Sequence, residues 1–341
     1  MTSKTTTAFS YAGLFTLSLR LVGGWTYFSA LWRRVVLKNK LDPELPGYIG
    51  EKFNHFLPNA LGIGPMIEYL LENPDLLYIN MVAFTIIEGV VGLFFMFGFF
   101  TRLSSIGVIG LALGILLGAG WIGTTCLDEW QIGVLGIAAG FTTYFSGGGH
   151  FSIDHYLTKK KAWFTSKTAT YFTSGKLSLS EYKLKKLNII VAFTILGLTL
   201  LTNQIFHGGL WGDLHNKSVS PELEVSRVKL EDNWLKFEVY RVEGVDVYGS
   251  FLIQIEVFNE SNKVIHTLDS EDLANFNSSH IKNQYIAKVK PGKHAMIIPL
   301  GAKAEIKVQL SENQMKDARY IQLTDISGKS WDSKIENPKL Q

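Results

Sequence analysis

Five long apolar stretches govern what this chain can become. They lie near residues 11–32, 77–100, 103–121, 130–147 and 187–206. A helix needs about 20 apolar residues to cross a hydrocarbon layer of about 30 Å, and each stretch approaches that length. The composition agrees, with 47% hydrophobic and only 18% charged residues. Arg20 interrupts the first stretch and no small-residue cleavage site follows it, so it reads as a retained helix rather than a secretion signal.

Glycines pattern the third and fourth stretches: Gly107, Gly110, Gly114 and Gly118 in one, Gly133, Gly136 and Gly140 in the other. Spacings of three and four put each set on one helical face, which predicts that these helices pack closely against each other. Orientation follows from basic residues. The segment His150–Lys186 carries Lys159, Lys160, Lys161, Lys167, Lys176, Lys183, Lys185 and Lys186 against Asp154 and Glu181, which predicts a cytoplasmic location. Counting back, the amino terminus is inside, and residues 33–76 and the stretch WIGTTCLDEW (121–130) face outward. Arg33 and Arg34 at an outer helix end run against the same rule.

From about Glu222 the pattern changes to period two. Leu235, Phe237 and Val239 alternate with polar residues, as do Ala304, Ile306, Val308 and Leu310. Turn signals at PGK (291–293) and SGK (327–329) separate the runs. The prediction is about seven short strands without helix, an antiparallel β-sandwich of immunoglobulin-like type. The expected organisation is a membrane-embedded four-helix bundle over residues 1–157 and a basic cytoplasmic linker over 158–186. A fifth transmembrane helix over 187–206 then carries an extracytoplasmic β domain over 207–341.

A net charge of +3 gives no reason to expect nucleic acid. The single cysteine, Cys126, excludes an internal disulfide, a zinc finger and a CxxC redox pair. No G-x-G-x-x-G or phosphate-binding loop occurs, and neither a bound metal nor a flavin is evident. Within the apolar stretches the fully charged side chains are Arg20 and Glu88, and charge inside a bilayer usually pairs and marks function. An Arg20–Glu88 pair at mid-membrane is expected, acting as a structural clamp, a proton-handling carboxylate, or both. Arg33, Arg34 and the histidines of NQIFHGGLWGDLHNKS (203–218), His207 and His215, gather on the outward face as groups able to bind a small oxyanion. Trp25, Trp32, Trp121, Trp130 and Trp211 fall near outer helix ends, where an aromatic belt would place them. Trp121 and Trp130 are also the expected walls of a pocket around Cys126. His150 and His155 read as part of a structural helix exit.

Arg20 with GGW (23–25), Glu88 with GFFTR (98–102) and GGGHFSIDHYL (147–157) together resemble the DoxX/DoxD superfamily of four-helix membrane proteins. The fifth helix, the GDLHNKSVSP segment (212–221) and the β domain are similar to DoxA. A DoxD half joined to a DoxA half resembles a fused thiosulfate:quinone oxidoreductase. The resemblance implies oxidation of thiosulfate to tetrathionate at the outer face of the plasma membrane, with a membrane quinone as electron acceptor. Glu88 would then relay protons, Arg20 would hold it, Trp25 would meet the quinone, and Arg33, Arg34, His207 and His215 would offset the charge of the dianion. Cys126 is expected as sulfur acceptor from its position and its being the lone thiol, not from the resemblance. Two other readings stay open: a non-enzymatic membrane scaffold or accessory subunit, and quinone-linked oxidation of another sulfur oxyanion. A second copy of the chain or a terminal quinol oxidase are the further partners such a protein would have.

Overall fold

The computed structural model describes residues 11–123, 128–175, 177, 179–244 and 251–336. They divide into two compact units, one of Met1–Ile49 with Asp75–His215 and one of Gly50–Pro74 with Asn216–Gln341. In chain order the helices are α1 (Leu17–Leu31), α2 (Glu51–Phe56), α3 (Gly64–Glu72), α4 (Pro74–Phe97), α5 (Thr101–Ala119), α6 (Asp128–Ser146), α7 (Ile153–Thr158) and α8 (Glu181–His207). Two more, α9 (Ser270–Ala274) and α10 (Glu312–Asp317), lie in the C-terminal domain.

Helices cover all five apolar stretches, and α4, α5 and α8 are long and apolar enough to cross a membrane. α1 does not stop at Trp32 but runs on as a π-helix, Trp32–Leu37. It packs antiparallel on α4 through glycine: Gly24 meets Gly92 and Met96, Gly92 meets Phe28, and Gly89 meets Leu31, each too close for a Cβ. The α5–α6 contact forms as expected, but one-sidedly. Gly133, Gly136 and Gly140 of α6 press on Leu116, Ala112 and Ile109, whereas Gly107 faces Val91 of α4 and a Cβ at Gly110 or Gly114 would meet open space. Spacing places glycines on one face, but a helix with two neighbours has two faces to fill.

The stretch expected as a basic linker carries two 3-10 turns, Ala162–Thr165 and Ala169–Tyr171. Arg102, fully buried at the start of α5, holds it. Its Nε donates to Tyr144 O at 3.0 Å and its Nη1 to Thr173 O at 2.6 Å and to Thr170 O.

Among the described residues the second unit has ten strands: β1 (Glu222–Glu231), β2 (Trp234–Glu243), β3 (Leu252–Phe258), β4 (Val264–Leu268), β5 (Ile281–Asn283), β6 (Lys290–Pro291), β7 (Met296–Ile297), β8 (Lys303–Gln309), β9 (Tyr320–Asp325) and β10 (Ser330–Lys334). They form two antiparallel sheets, β1-β2-β8-β5 and β10-β9-β3-β7-β6, with β4 added beside β3. The period-two residues are the core. Leu235, Phe237 and Val239 sit opposite Val308, Ile306 and Ala304 across the β2–β8 ladder. Ile255, Val257, Ile321 and Leu323 of the other sheet close over them. The strand count exceeds the expected seven, and two short helices appear, because strands of two or three residues and single-turn helices are too brief to show a period.

Residues 50–74 join this sandwich. Asn54, fully buried in α2, donates from Nδ2 to Gly301 O at 3.1 Å and accepts from Ala287 N at 3.0 Å. Asn59 donates to Val242 O at 3.0 Å and accepts from Lys217 Nζ at 2.8 Å. Tyr285 donates its hydroxyl to Glu68 of α3 at 2.6 Å. Burial first, and then that bond, push the Tyr285 phenol above its usual range. Gly301, at φ +74°, lies so close to the Asn54 backbone that no side chain fits there. Asn54→Ala is expected to leave two buried groups unpaired at about 1–3 kcal/mol each. Hydrogen exchange at the Ala287 amide reads this directly, and protection equal to wild type would rule the contact unimportant.

Candidate functional site

Glu88 is the buried carboxylate of α4, and the π-helical extension of α1 supplies its partner. Arg34 Nη1 donates to Glu88 Oε2 at 2.6 Å and to Thr85 Oγ1 at 3.3 Å. The pair is largely enclosed, with side chains 17% and 8% exposed. Arg33 donates Nε to Ser29 O at 3.3 Å, and its charge also acts on Glu88. π-Helical turns recur at functional sites, and here one carries the arginine pair that ran against the topology rule.

The expected Arg20–Glu88 pair does not form. The glycine contacts fix the α1–α4 register so that Arg20 lies level with the turn at Gly98, where a Cβ would strike its guanidinium. Ten positions of helix separate that turn from Glu88, about 15 Å at 1.5 Å per residue. Arg20 is instead buried at the opposite end of α1, donating Nη1 to Gly148 O and Nη2 to Phe151 O at 2.5 Å each. Next to it Asp154, fully buried, accepts from Phe100 N (2.8 Å), Thr101 N (2.9 Å), Thr101 Oγ1 (2.7 Å) and Ser174 Oγ (2.9 Å). It caps the N-terminus of α5, where backbone N–H groups have no helical acceptor and the helix dipole favours an anion. His150 and His155 stand with ring centroids 4.7 Å apart. His155 titrates below the usual imidazole range through burial, then Lys159, then His150.

A second cluster gathers where α5 ends, α6 begins and α8 ends. Trp130 donates Nε1 to Thr202 Oγ1 at 2.9 Å and meets His207 edge to face, centroids 6.4 Å apart. His207 is fully buried and bonds through Nε2 to Gly120 O at 3.1 Å. Because a carbonyl only accepts, Nε2 carries the proton, and Nδ1 has no partner among the described residues. Gly208, at φ +62°, turns the chain back so that His215 N reaches His207 O at 3.0 Å. Trp121, next in the chain after Gly120, is fully buried, whereas His215 is exposed. Cys126 lies outside the described residues. Trp25 is half exposed on α1, in contact with Phe28, and Trp32 and Trp211 are exposed in the way a belt position requires. Contacts thus bring together Arg34 and Glu88, with the charge of Arg33 acting on Glu88, and separately Trp130, His207 and His215, while Arg20 lies apart from both groups.

Two family profiles match the chain: TQO small subunit DoxD over residues 15–180 and TQO small subunit DoxA over residues 206–334. The chain belongs to both families, a DoxD half joined to a DoxA half. No solved structure matches it. Both are subunit families of a membrane quinone oxidoreductase. The Arg34–Glu88 pair, Arg20 and Asp154 lie within the DoxD match, and His207 and His215 within the DoxA match. The Trp130–His207 contact and the Asn54 bonds therefore each join the DoxD region to the DoxA region. Sequence reasoning missed Thr85 and Asp154 as site neighbours. Thr85 lies three residues before Glu88 and so on the same face of α4, the one signal that could have found it.

Proposed function

We propose that this protein oxidises thiosulfate to tetrathionate at the outer face of the cytoplasmic membrane and passes the electrons to membrane quinone. The observation that carries this reading is the presence of both TQO small-subunit families in one chain. Two thiosulfate dianions joined through sulfur give tetrathionate and two electrons without releasing a proton, and quinone takes up those electrons with two protons. Glu88 is the proposed proton relay, held by Arg34 rather than Arg20, and Arg33 offers its charge to the incoming dianion. His207, His215, Trp121 and Trp130 are the proposed wall of the sulfur site, and Trp25 the quinone contact.

Cys126 is the proposed sulfur acceptor. Its thiolate forms an S–S bond to the first thiosulfate as two electrons leave for quinone; a second thiosulfate then attacks that bond, releasing tetrathionate and restoring the thiolate. Topology supports capture of the substrate outside. Residues 50–74 and the sandwich share one compact unit, so an even number of crossings separates them. With α6 as a fourth span beside the three strongest, the reading puts the lysine-rich 150–186 segment on the cytoplasmic side, in keeping with the positive-inside rule.

The test is purified protein in lipid discs, supplied with a short-chain quinone and thiosulfate, with quinol and tetrathionate both quantified. Tetrathionate and quinol formed one to one are expected. Quinol from sulfite but not thiosulfate would change the donor, and no quinol from any sulfur oxyanion would leave a scaffold. Cys126→Ser distinguishes the covalent route from direct coupling of two bound thiosulfates: near-normal turnover rules out the adduct.

A further inference from the structure

At the end of the helical unit where α1 begins, a groove of about 560 Å³ runs between α1, the last turn of α4 and residues 150–156. Arg20 lies at its floor and Tyr156 at its rim. Both terminal guanidinium nitrogens of Arg20 are taken by the carbonyls of Gly148 and Phe151, and Nε is left without a partner among the described residues. Arg20 and Arg102 both act on the single carboxylate of Asp154, so the buried charge here is positive in excess. A second cation, the exposed Lys160, stands beside the rim residue Tyr156. Lys160 Nζ donates to the Tyr156 hydroxyl and sits 4.4 Å from the centroid of its ring. The walls are exposed and apolar: Leu21, Phe97, Phe151 and Ile153.

We infer that this groove holds the head group of an anionic phospholipid, with the phosphate between Arg20 and Lys160 and an acyl chain along the apolar wall. Two cations at different depths suit a charged head group and give a neutral ring no advantage. The apolar wall suits a chain that a free oxyanion lacks. Leu17, Leu21 and Trp25 fall at four-residue steps on one face of α1, which extends the wall along the helix. Basic pockets between helices are the usual seats of such head groups, and the volume lies within the range of about 300–1,000 Å³ common to small-molecule sites.

Native mass spectrometry of the purified full chain, titrated with phosphatidylglycerol and separately with phosphatidylcholine, tests the inference. The expected result is saturable retention of phosphatidylglycerol at least about tenfold tighter than phosphatidylcholine. Lys160→Glu and Ile153→Glu, both on exposed side chains that leave the Arg20 bonds alone, should remove that preference. Lys167→Glu, an equal charge change at another exposed lysine, should keep it. Equal retention of the two lipids, or loss of the preference in all three variants alike, overturns the inference. So does displacement of the lipid by stoichiometric short-chain quinone, which would make the groove a quinone seat, or by inorganic phosphate alone, which would make it an oxyanion site.

Discussion

Glu88→Gln is expected to lower thiosulfate-dependent quinone reduction by about a hundredfold to ten-thousandfold, the usual weight of a positioned acid or base, while the protein still folds. The amide keeps the size of the side chain and an oxygen that can accept from Arg34, so the geometry survives and the exchangeable proton does not. Arg34 keeps partial access to solvent, with 17% of its side chain exposed, so it tolerates the lost charge. The converse change is different in kind. Arg34→Met leaves a carboxylate only 8% exposed without its direct partner, and breaking a buried pair from one side costs about 3–5 kcal/mol. Thermal melting in lipid discs should show that loss, and Arg34→Met combined with Glu88→Gln should recover most of it. If Glu88→Gln melted as early as Arg34→Met, the carboxylate would be a structural clamp and the relay would need another residue. If it turned over normally, Glu88 would have no part in proton delivery.

Asp154→Ala should be the most damaging change at the other end of the bundle. Four donors converge on this one buried carboxylate. Two are backbone N–H groups at the start of α5, and one of those belongs to Phe100, held at φ +44° in the left-handed region that side chains avoid. Removing the carboxylate unpins that turn, orphans buried donors and takes the counter-charge from Arg20 and Arg102. A loss on the order of 3–5 kcal/mol follows from the same one-sided argument. Asp154→Asn, which keeps one acceptor oxygen, should fall between. Hydrogen exchange at Phe100 and Thr101 should rise while that of β8 stays unchanged; a uniform rise across both units would mean global unfolding instead.

The parts of this architecture written in periodic residues were legible. Leu235, Phe237 and Val239 announced a buried sheet face, and the apolar stretches announced the helices. The contacts that decide the site were not periodic. Arg20 and Glu88 looked like partners because both are charged within spans, but partnership across two helices depends on register. That register is set by Gly24, Gly89 and Gly92, whose information is the absence of a side chain. The motifs GFFTR and GGGHFSIDHYL stood in sequence as separate marks. In space they are one lock, since Asp154 of the second caps Thr101 of the first and Arg20 holds the carbonyls of Gly148 and Phe151. Arg34 stood out in sequence as an oxyanion candidate and as an exception to the charge rule for the expected outer helix end, but its bond to the buried Glu88 carboxylate depends on the helix register.

The docking of α2 and α3 on the sandwich has a consequence for how the two halves stay together. DoxD and DoxA are named as separate subunits, and two free molecules lose about 4–15 kcal/mol of translational and rotational freedom when they associate. Within one polypeptide that loss is already met by the peptide bonds, and the partner's local concentration is set by chain length rather than by expression. The hydrogen bonds of Asn54, Asn59 and Glu68 to the sandwich form within one polypeptide and do not have to offset that loss. Fusion thereby relaxes the demand on the interface and guarantees one DoxA half for every DoxD half.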